Sequence, residues 1–172
     1  MLLRKAAIED AAVISAIHVA SWRDTYASIL EQEFLAGPIV DNRLSYWTDR
    51  LSEPHADRQV LLAIDAPGPV GFICTLGPPD PSWGACVNNL HVVAEARGSG
   101  IGLALLQSAA EWVKVTYPNC GMHLWVFEAN TRARRFYQRH GAQPVDRARS
   151  LIPSARGASI IRLHWSLPPC RR

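Results

Sequence analysis

Three glycines alternate with other residues at the end of a β-type stretch, where an apolar helical pattern begins. They are Gly98, Gly100 and Gly102, and Arg97 precedes them. Glycine has no Cβ, so the backbone can approach a ligand closely, and the first N–H groups of the following helix remain free. Those donors and the positive end of the helix dipole favour an anion such as a pyrophosphate, to which Arg97 adds a full charge.

Two common phosphate-binding motifs do not fit this spacing. A dinucleotide-binding GxGxxG would need glycine where the chain has Leu103, and the Gly-Lys-Ser/Thr of a P-loop is absent. The remaining pattern is RxxGxG, formed by Arg97, Gly100 and Gly102. Alone it is a weak signal, because glycines at a strand-to-helix turn are often structural.

A second motif follows the next β-type stretch. It reads N-x-x-A-x-x-F-Y-x-x-x-G and consists of Asn130, Ala133, Phe136, Tyr137 and Gly141. In order and separation, the two motifs together resemble the GNAT superfamily of acyl-CoA-dependent N-acetyltransferases. The resemblance extends over the whole chain, although only residues 86–142 are specific.

The resemblance implies an acetyl-CoA site, with the coenzyme as co-substrate and no metal. The residues carried over to that site are Val92, Val93, Arg97, Gly98, Ser99, Gly100, Ile101, Gly102, Asn130 and Ala133. Tyr137 matches the tyrosine that in many family members protonates the departing thiolate, and a phenol near pKa 10 can donate to a thiolate of pKa about 8.5. The alternative role for Tyr137 is aromatic packing beside Phe136.

The group that would accept the proton of the amine stays open. Some family members place a glutamate on the strand before the glycines, but this strand has no carboxylate, and Cys86 lies nearest that position. Strand alternation predicts Asn88 on the face of Cys86 and Leu90, where it could orient a water, with His91 on the other face as a packed or surface residue. Cys86 is a candidate nucleophile, or a small buried hydrophobe.

Other candidate residues also have an ordinary structural explanation. Trp22, Tyr26 and Trp47 occupy the region where the family builds its acceptor site, or they are core aromatics. One or two arginines are candidates to meet the coenzyme 3′-phosphate, or they form a solvated helix face: Arg132, Arg134, Arg135, Arg139, Arg147 and Arg149.

Apolar periodicity and turn residues predict the elements that position these groups. Strands are predicted at 2–3, 60–64, 70–76, 86–93, 122–127 and 160–165, and helices at 9–20 with an extension to Tyr26, 34–36, 44–51, 103–116 and 130–140. The fold class is α/β (α+β): one domain with a mixed sheet flanked by helices on both faces. The resemblance adds that the sheet is mostly antiparallel. Residues 1–56 form a helical acceptor-side region, 86–142 the acetyl-CoA core, and 168–172 a loose basic tail.

Composition limits the function classes. The chain has 172 residues, and 18 Lys and Arg against 15 Asp and Glu leave a net charge of +3, too small for a dedicated nucleic-acid binder. Its four cysteines show no metal-ligand spacing, and no apolar run suits a signal peptide or a membrane span. We therefore expect a cytoplasmic protein with reduced thiols, no bound metal, and no membrane or nucleic-acid partner.

The sequence thus predicts an N-acetyltransferase that moves acetyl from acetyl-CoA to a primary amine on a small molecule, a peptide N-terminus or a lysine. The alternative is a sensor module that binds acyl-CoA with little turnover, since the strand glutamate is missing. A weaker alternative is nucleic-acid binding by the arginine cluster. Dimers are common in the family, so a homodimer is compatible with the resemblance.

Overall fold

The computed structural model describes residues 1–66 and 68–166, with the side chains of Pro78 and Pro79 left aside. Cys170 and the predicted tail at 168–172 lie outside the described residues. The strands are β1 (Leu2–Lys5), β2 (Arg58–Asp65), β3 (Gly68–Asp80), β4 (Gly84–Val92), β5 (Met122–Phe127), β6 (Gln143–Arg149) and β7 (Ser159–Trp165). The helices are α1 (Ala11–Thr25), α2 (Gln32–Ala36), α3 (Ile39–Ser52), α4 (Ile101–Thr116) and α5 (Thr131–Arg139).

The seven strands form one mixed sheet in the order β1-β2-β3-β4-β5-β7-β6. Neighbouring strands are antiparallel except β4 and β5, which are parallel because α4 connects them as a crossover. The predicted class, a mixed and mostly antiparallel sheet flanked by helices on both faces, is confirmed.

Each face of the sheet packs against its own helices. On one face, Leu105 and Val113 of α4 are buried in a cluster with Ala85 and Val87 of β4. On the other face, Ile14 of α1 and Trp47 of α3 are fully buried with apolar residues of β2 and β3. Alternation along β2 and β3 supplies both layers, since successive side chains of a strand point to opposite faces.

A β-bulge in β4 changes which side chains share a face. Val87 pairs with Thr75 and Asn89 pairs with the preceding residue of β3, so Asn88 is an extra residue in β4. Ala85 and Val87 pack towards α4 before the bulge, and Leu90 and Val92 do so after it.

The prediction for β4 was therefore wrong in part, because it assumed strict alternation. Asn88 does not share a face with Leu90: its Nδ2 donates to the hydroxyl of Tyr46 on α3 at 2.8 Å. His91 also lies on the sheet face that packs against α1 and α3, where its Nδ1 is 2.8 Å from the Ser21 hydroxyl on α1. The extra residue at the bulge shifts the side-chain alternation by one position, so the residues that follow point to the opposite face from the one predicted.

One strand was not recognised from the sequence. β6 pairs only with β7 among the described strands, and all seven of its residues are exposed. An edge strand without a buried face has no apolar alternation for a sequence pattern to show. Arg147 and Arg149 lie on this strand, and Arg147 forms an ion pair with Glu128 at 3.1 Å.

Two glycines hold the start of β4 against β5. The amide of Ala85 donates to the Gly121 carbonyl at 3.0 Å, and a Cβ on Gly84 would overlap that same carbonyl. Gly84 also has φ +78°, a conformation that other residues adopt at a cost. This close approach fixes the end at which β4 and β5 stay together.

We expect Gly84→Ala to lower the free energy of unfolding by about 3 kcal/mol, because strain and a backbone overlap add together. Gly37→Ala is the matched control, since a Cβ there meets nothing within 4 Å and its φ is negative. Urea denaturation of both variants measures the difference. Equal stability would show that β4 and β5 do not need this contact.

Candidate active site

A cleft of about 410 Å³ opens where β4 and β5 separate. The two strands pair at Ala85 with Met122 and at Cys86 with His123, and then diverge. Residues of β4 and β5 line the walls, together with α5, the start of α4 and the end of α1. Beyond Cys86, the edge of β4 that faces β5 has no strand partner, so its backbone donors and acceptors are available to a ligand.

The glycine turn forms one end of this cleft. Gly98 and Gly100 have φ +85° and +89°, the left-handed region in which glycine carries no Cβ penalty. Gly100 is the N-cap of α4, and α4 begins at Ile101 without a side-chain cap. The first amides of α4 therefore lack intrahelical partners beside the positive end of a 16-residue helix, which is a site for an anion.

Arg97 connects this turn to the first helix. Its Nε donates to the Val92 carbonyl at 3.0 Å, and its guanidinium forms an ion pair with Asp24 of α1. Part of its charge is thus compensated within the protein. The side chain still lines the cleft, so it both braces α1 against the end of β4 and remains close to a bound anion.

Asn130 and Tyr26 form the opposite wall. The Asn130 Oδ1 accepts from the Ala133 amide at 3.1 Å and caps α5. Burial raises the pKa of Tyr26. The Tyr26 ring packs edge to face on Phe127, with 5.0 Å between centroids, and this contact holds the end of α1 against the end of β5.

Tyr137 is buried on α5 and lines the cleft. Its ring packs edge to face on Phe136 at 5.1 Å and on Trp165 at 5.9 Å between centroids. Burial, and secondarily the nearby Tyr26, raises the pKa of Tyr137 above its usual range. The phenol is therefore protonated and neutral at physiological pH.

A histidine pair lies on the α1 side of the cleft, which strand alternation had not predicted. The His91 ring is 4.5 Å from the His18 ring, and His18 Nδ1 accepts from the Trp47 indole at 3.0 Å. Burial, with Arg97 and Arg43 nearby, lowers the pKa of His91 to about 3, and burial also lowers that of His18. Both imidazoles are neutral at pH 7.

Most of the residues singled out from the sequence meet in this cleft. Those that line it are Val92, Arg97, Gly98, Gly100, Gly102, Asn130, Ala133, Tyr137, Tyr26 and Asn88. Their meeting depends on the parallel β4–α4–β5 connection, which brings two distant motifs to one strand gap.

Five of the residues singled out from the sequence do not line the cleft. The Val93 amide donates to the Val70 carbonyl at 2.9 Å, and the exposed Ser99 bonds the Ala96 carbonyl at 2.6 Å. Ile101 is buried in the core, and Trp22 is buried against His18 and Tyr26. Trp47, fully buried, is likewise a core aromatic.

Sequence reasoning missed several lining residues besides His91. Ser21, Leu90, Trp125, Val126 and His140 lie along the cleft. They carry no motif of their own, and only the strand separation and the packing of α5 bring them together.

The described part of the chain also limits other kinds of site. Within residues 1–66 and 68–166, no cluster of three or more His, Cys, Asp or Glu could hold a metal ion. Over the same residues, no helix has the length and apolar character needed to cross a bilayer. Cys74, Cys86 and Cys120 are unpaired, and burial raises the pKa of the Cys74 and Cys86 thiols to about 11.

Solved structures with this fold come from several organisms. PaiA N-acetyltransferase from Thermoplasma acidophilum, in complex with coenzyme A, has a TM-score of 0.76 at 21% identity, covering 95% of this chain and 98% of that one. A GCN5-related N-acetyltransferase from Rhodopseudomonas palustris has a TM-score of 0.77 at 23% identity, covering 96% and 95%. At these identities the likeness shows the fold alone.

Sequence comparison identifies the family. An uncharacterized N-acetyltransferase of Bacillus subtilis, YuaI, is 28% identical over 152 residues, covering 83% of this chain and 80% of its own. The model of the Acetyltransferase (GNAT) family matches residues 19–142, which include the whole cleft from α1 to α5. On this match, the chain belongs to the GNAT acetyltransferase family.

Proposed function

We propose that this protein transfers the acetyl group of acetyl-CoA to a primary amine. The observation that carries the proposal is the cleft between β4 and β5, which has the uncapped N-terminus of α4 at one end and unpaired strand backbone along its wall. A pyrophosphate suits the first feature and an extended amide-containing chain suits the second. Coenzyme A has both groups.

The coenzyme is proposed to bind along the sequence motifs. The backbone from Arg97 to Gly102, including Ser99 and Ile101, would hold the pyrophosphate. Val92 and Val93, at the end of β4, would contact the pantetheine arm from one side. Asn130 and Ala133, at the start of α5, would contact it from the other. Of the six arginines considered from the sequence, Arg132 and Arg139 line the cleft. These two are therefore the candidates for binding the 3′-phosphate of the coenzyme.

The reaction follows from this placement as a direct transfer. The amine nitrogen attacks the thioester carbonyl and forms a C–N bond, and the tetrahedral oxyanion accepts hydrogen bonds from β4 backbone amides. The nitrogen, positively charged after the attack, loses one proton to water. The C–S bond then breaks, and the departing thiolate takes the proton of the Tyr137 phenol. Water restores that proton after the products leave.

The amine must lose its proton before it attacks. At pH 7 an amine of pKa about 10.4 is free in fewer than about one molecule in a thousand. No carboxylate is among the described residues that line the cleft, and His91 is too weak a base at a pKa of about 3. We infer that the enzyme takes up the amine as the free base and that its proton goes to water.

The absence of a carboxylate from the described lining also favours a second candidate, an acyl-CoA sensor with little turnover. The two candidates share the coenzyme site and differ in chemistry. Release of free thiol in the presence of an amine distinguishes them.

The coenzyme site is tested by Gly100→Glu, which places a carboxylate at the proposed pyrophosphate position. We expect the affinity for acetyl-CoA to fall at least about 100-fold, because like charges meet at the helix start. Gly157→Glu is the matched control, since Gly157 has φ +70°, has open space around its Cβ position, and does not line the cleft. Calorimetric titration measures both, and equal losses would mean that strain and net charge alone explain the effect.

The proton donor is tested by Tyr137→Phe, which removes the hydroxyl and keeps the ring. We expect kcat to fall by about 100-fold with the acetyl-CoA affinity nearly unchanged. Tyr117→Phe is the control, because that hydroxyl bonds Asp57 at 2.6 Å and does not line the cleft. Unchanged kcat in Tyr137→Phe would make Tyr137 a packing residue.

The pH dependence tests the free-base mechanism. We expect log kcat/KM to rise with unit slope and to level off at the pKa of the acceptor, shifting when acceptors of different pKa are compared. His91 contributes no bend above about pH 5, because its pKa is lowered to about 3 and it stays neutral throughout. A bend that stays at one pH near neutrality for every acceptor would instead reveal a protein base.

A further inference from the structure

Three arginines lie on the sheet face beside α3, each stacked on aromatic rings. Arg43 lies 4.6 Å above the Tyr46 ring and Arg50 lies 4.5 Å from the same ring. Arg162 of β7 lies 4.5 Å above the Trp125 ring of β5 and 4.8 Å above the Trp83 ring. We call Arg43, Arg50 and Arg162 the arginine face.

The arginine face is continuous with the cleft. Asn88 and Trp125 both line the cleft. Asn88 donates to the hydroxyl of Tyr46, the ring on which Arg43 and Arg50 stack. Arg162 stacks on the Trp125 ring. Two side chains, Tyr46 and Asn88, therefore connect Arg43 and Arg50 to the cleft, and one, Trp125, connects Arg162 to it.

Cys86 lies where β4 and β5 begin to diverge. It is the last residue of β4 that pairs with β5. Burial raises the pKa of its thiol, and the charges of Arg50 and Arg162 both act in the opposite direction. The charges of both arginines therefore act near the point where β4 and β5 part, and the thiol there stays protonated.

These cations have little negative charge to compensate them. Neither Arg43 nor Arg50 is in an ion pair among the described residues, although Arg4, Arg97, Arg147 and Arg156 each are. Arg43 bonds the amide oxygen of Asn42 at 3.0 Å, and Arg50 reaches only the Cys74 sulfur at 4.0 Å.

The positive charges of Arg43 and Arg50 also repel each other. Burial lowers the pKa of the Arg43 guanidinium, and so does the charge of Arg50. Arg162 has only a long contact, 3.7 Å, to Asp146. Half-buried like charges around one ring are unfavourable until an anion joins them.

We propose that the acceptor is a small primary amine that also carries a carboxylate or a phosphate, and that the arginine face binds this anionic group. The inference rests on the proposed acetyl transfer, whose acceptor it specifies. Guanidinium forks bind both kinds of anion by paired hydrogen bonds, and the stacked rings hold the forks in place. With its anion on the arginine face, the acceptor extends its amine along Asn88 towards the cleft.

The same charges exclude another class of acceptor. A polyamine would bring two or more positive charges to a face that already holds three arginines. Such like-charge contacts select against a wrong partner as strongly as attraction selects a right one. We therefore expect anionic amines to be preferred over neutral amines, and neutral amines over polyamines.

The test compares acceptors that differ in one charge, at saturating acetyl-CoA. The phosphate pair is O-phosphoethanolamine and ethanolamine, the carboxylate pair is β-alanine and its amide, and spermidine represents polyamines. We expect kcat/KM to be at least about tenfold higher for the anionic member of one pair, and that pair identifies the anion. Spermidine should be the poorest acceptor.

Variants connect this preference to the arginine face. Arg43→Gln, Arg50→Gln and Arg162→Gln should each reduce the preference about tenfold and leave the KM for acetyl-CoA unchanged. Arg43→Lys should retain part of it, because the charge remains without the planar fork. Lys114→Gln, which removes an exposed charge in the last turn of α4 that does not line the cleft, should retain all of it. Thermal unfolding shows whether each variant is folded.

The inference is overturned if neither anionic amine is preferred over its neutral partner, if neither is acetylated while acetyl-CoA binds, or if the preference survives all three arginine variants. Calorimetric titration with acetyl-CoA alone separates this failure from that of the proposed function. Lack of coenzyme binding would contradict the acetyltransferase proposal itself, whereas binding without anion preference would contradict only the acceptor class.

Discussion

The contact between β4 and β5 is short because the two strands touch closely at one end only. Gly84 and Gly121 bring the backbones together there, and the parallel pairing continues through Cys86 and His123 before the strands part. A sheet interrupted in this way leaves strand edges without partners, and buried backbone groups require partners from some source. The cleft, the helix start beside it and the proposed coenzyme site all follow from that separation.

The interior of the cleft holds neutral groups, and positive charge lies outside that interior. Its interior holds groups that burial keeps neutral, namely His91 with a lowered pKa and Tyr137 with a raised one. Positive potential lies at two separate places, the start of α4 and the arginine face. A neutral interior suits thioester chemistry, in which charge develops only as the amine attacks, and the two positive regions suit anionic groups at the ends of two different molecules.

Much of the fold and several residues of the cleft could be predicted from the sequence. Gly98 and Gly100 indicate an anion site by their place at a strand-to-helix turn, whereas Asn130 and Tyr137 were carried over from the resemblance to the GNAT family, and the structure brings all four to one cleft. The face of His91 could not be predicted, because one extra residue at Asn88 shifts the strand and leaves no compositional trace.

The edge strand β6 and the arginine face were hidden for different reasons. β6 has no apolar alternation, since none of its residues is buried. Arg43, Arg50 and Arg162 come from two distant elements, and the scarcity of negative charge around them is a property of the assembled fold. Side chains that come together only through long-range contacts have no fixed spacing in the sequence. Residues of the proposed acceptor site are of this kind, so they are the hardest to predict from the sequence.

The central claim is that acetyl-CoA occupies the gap between β4 and β5 with its pyrophosphate on the start of α4. The most direct test is to follow the backbone amide resonances of ¹⁵N-labelled protein as acetyl-CoA is added. We expect the largest shifts at Gly98, Gly100 and Gly102, whose amides lie at the proposed pyrophosphate position, with further shifts along Asn88–Val92 and at Asn130. Saturating acetyl-CoA that leaves these amides unmoved, or moves a different surface, would contradict the account.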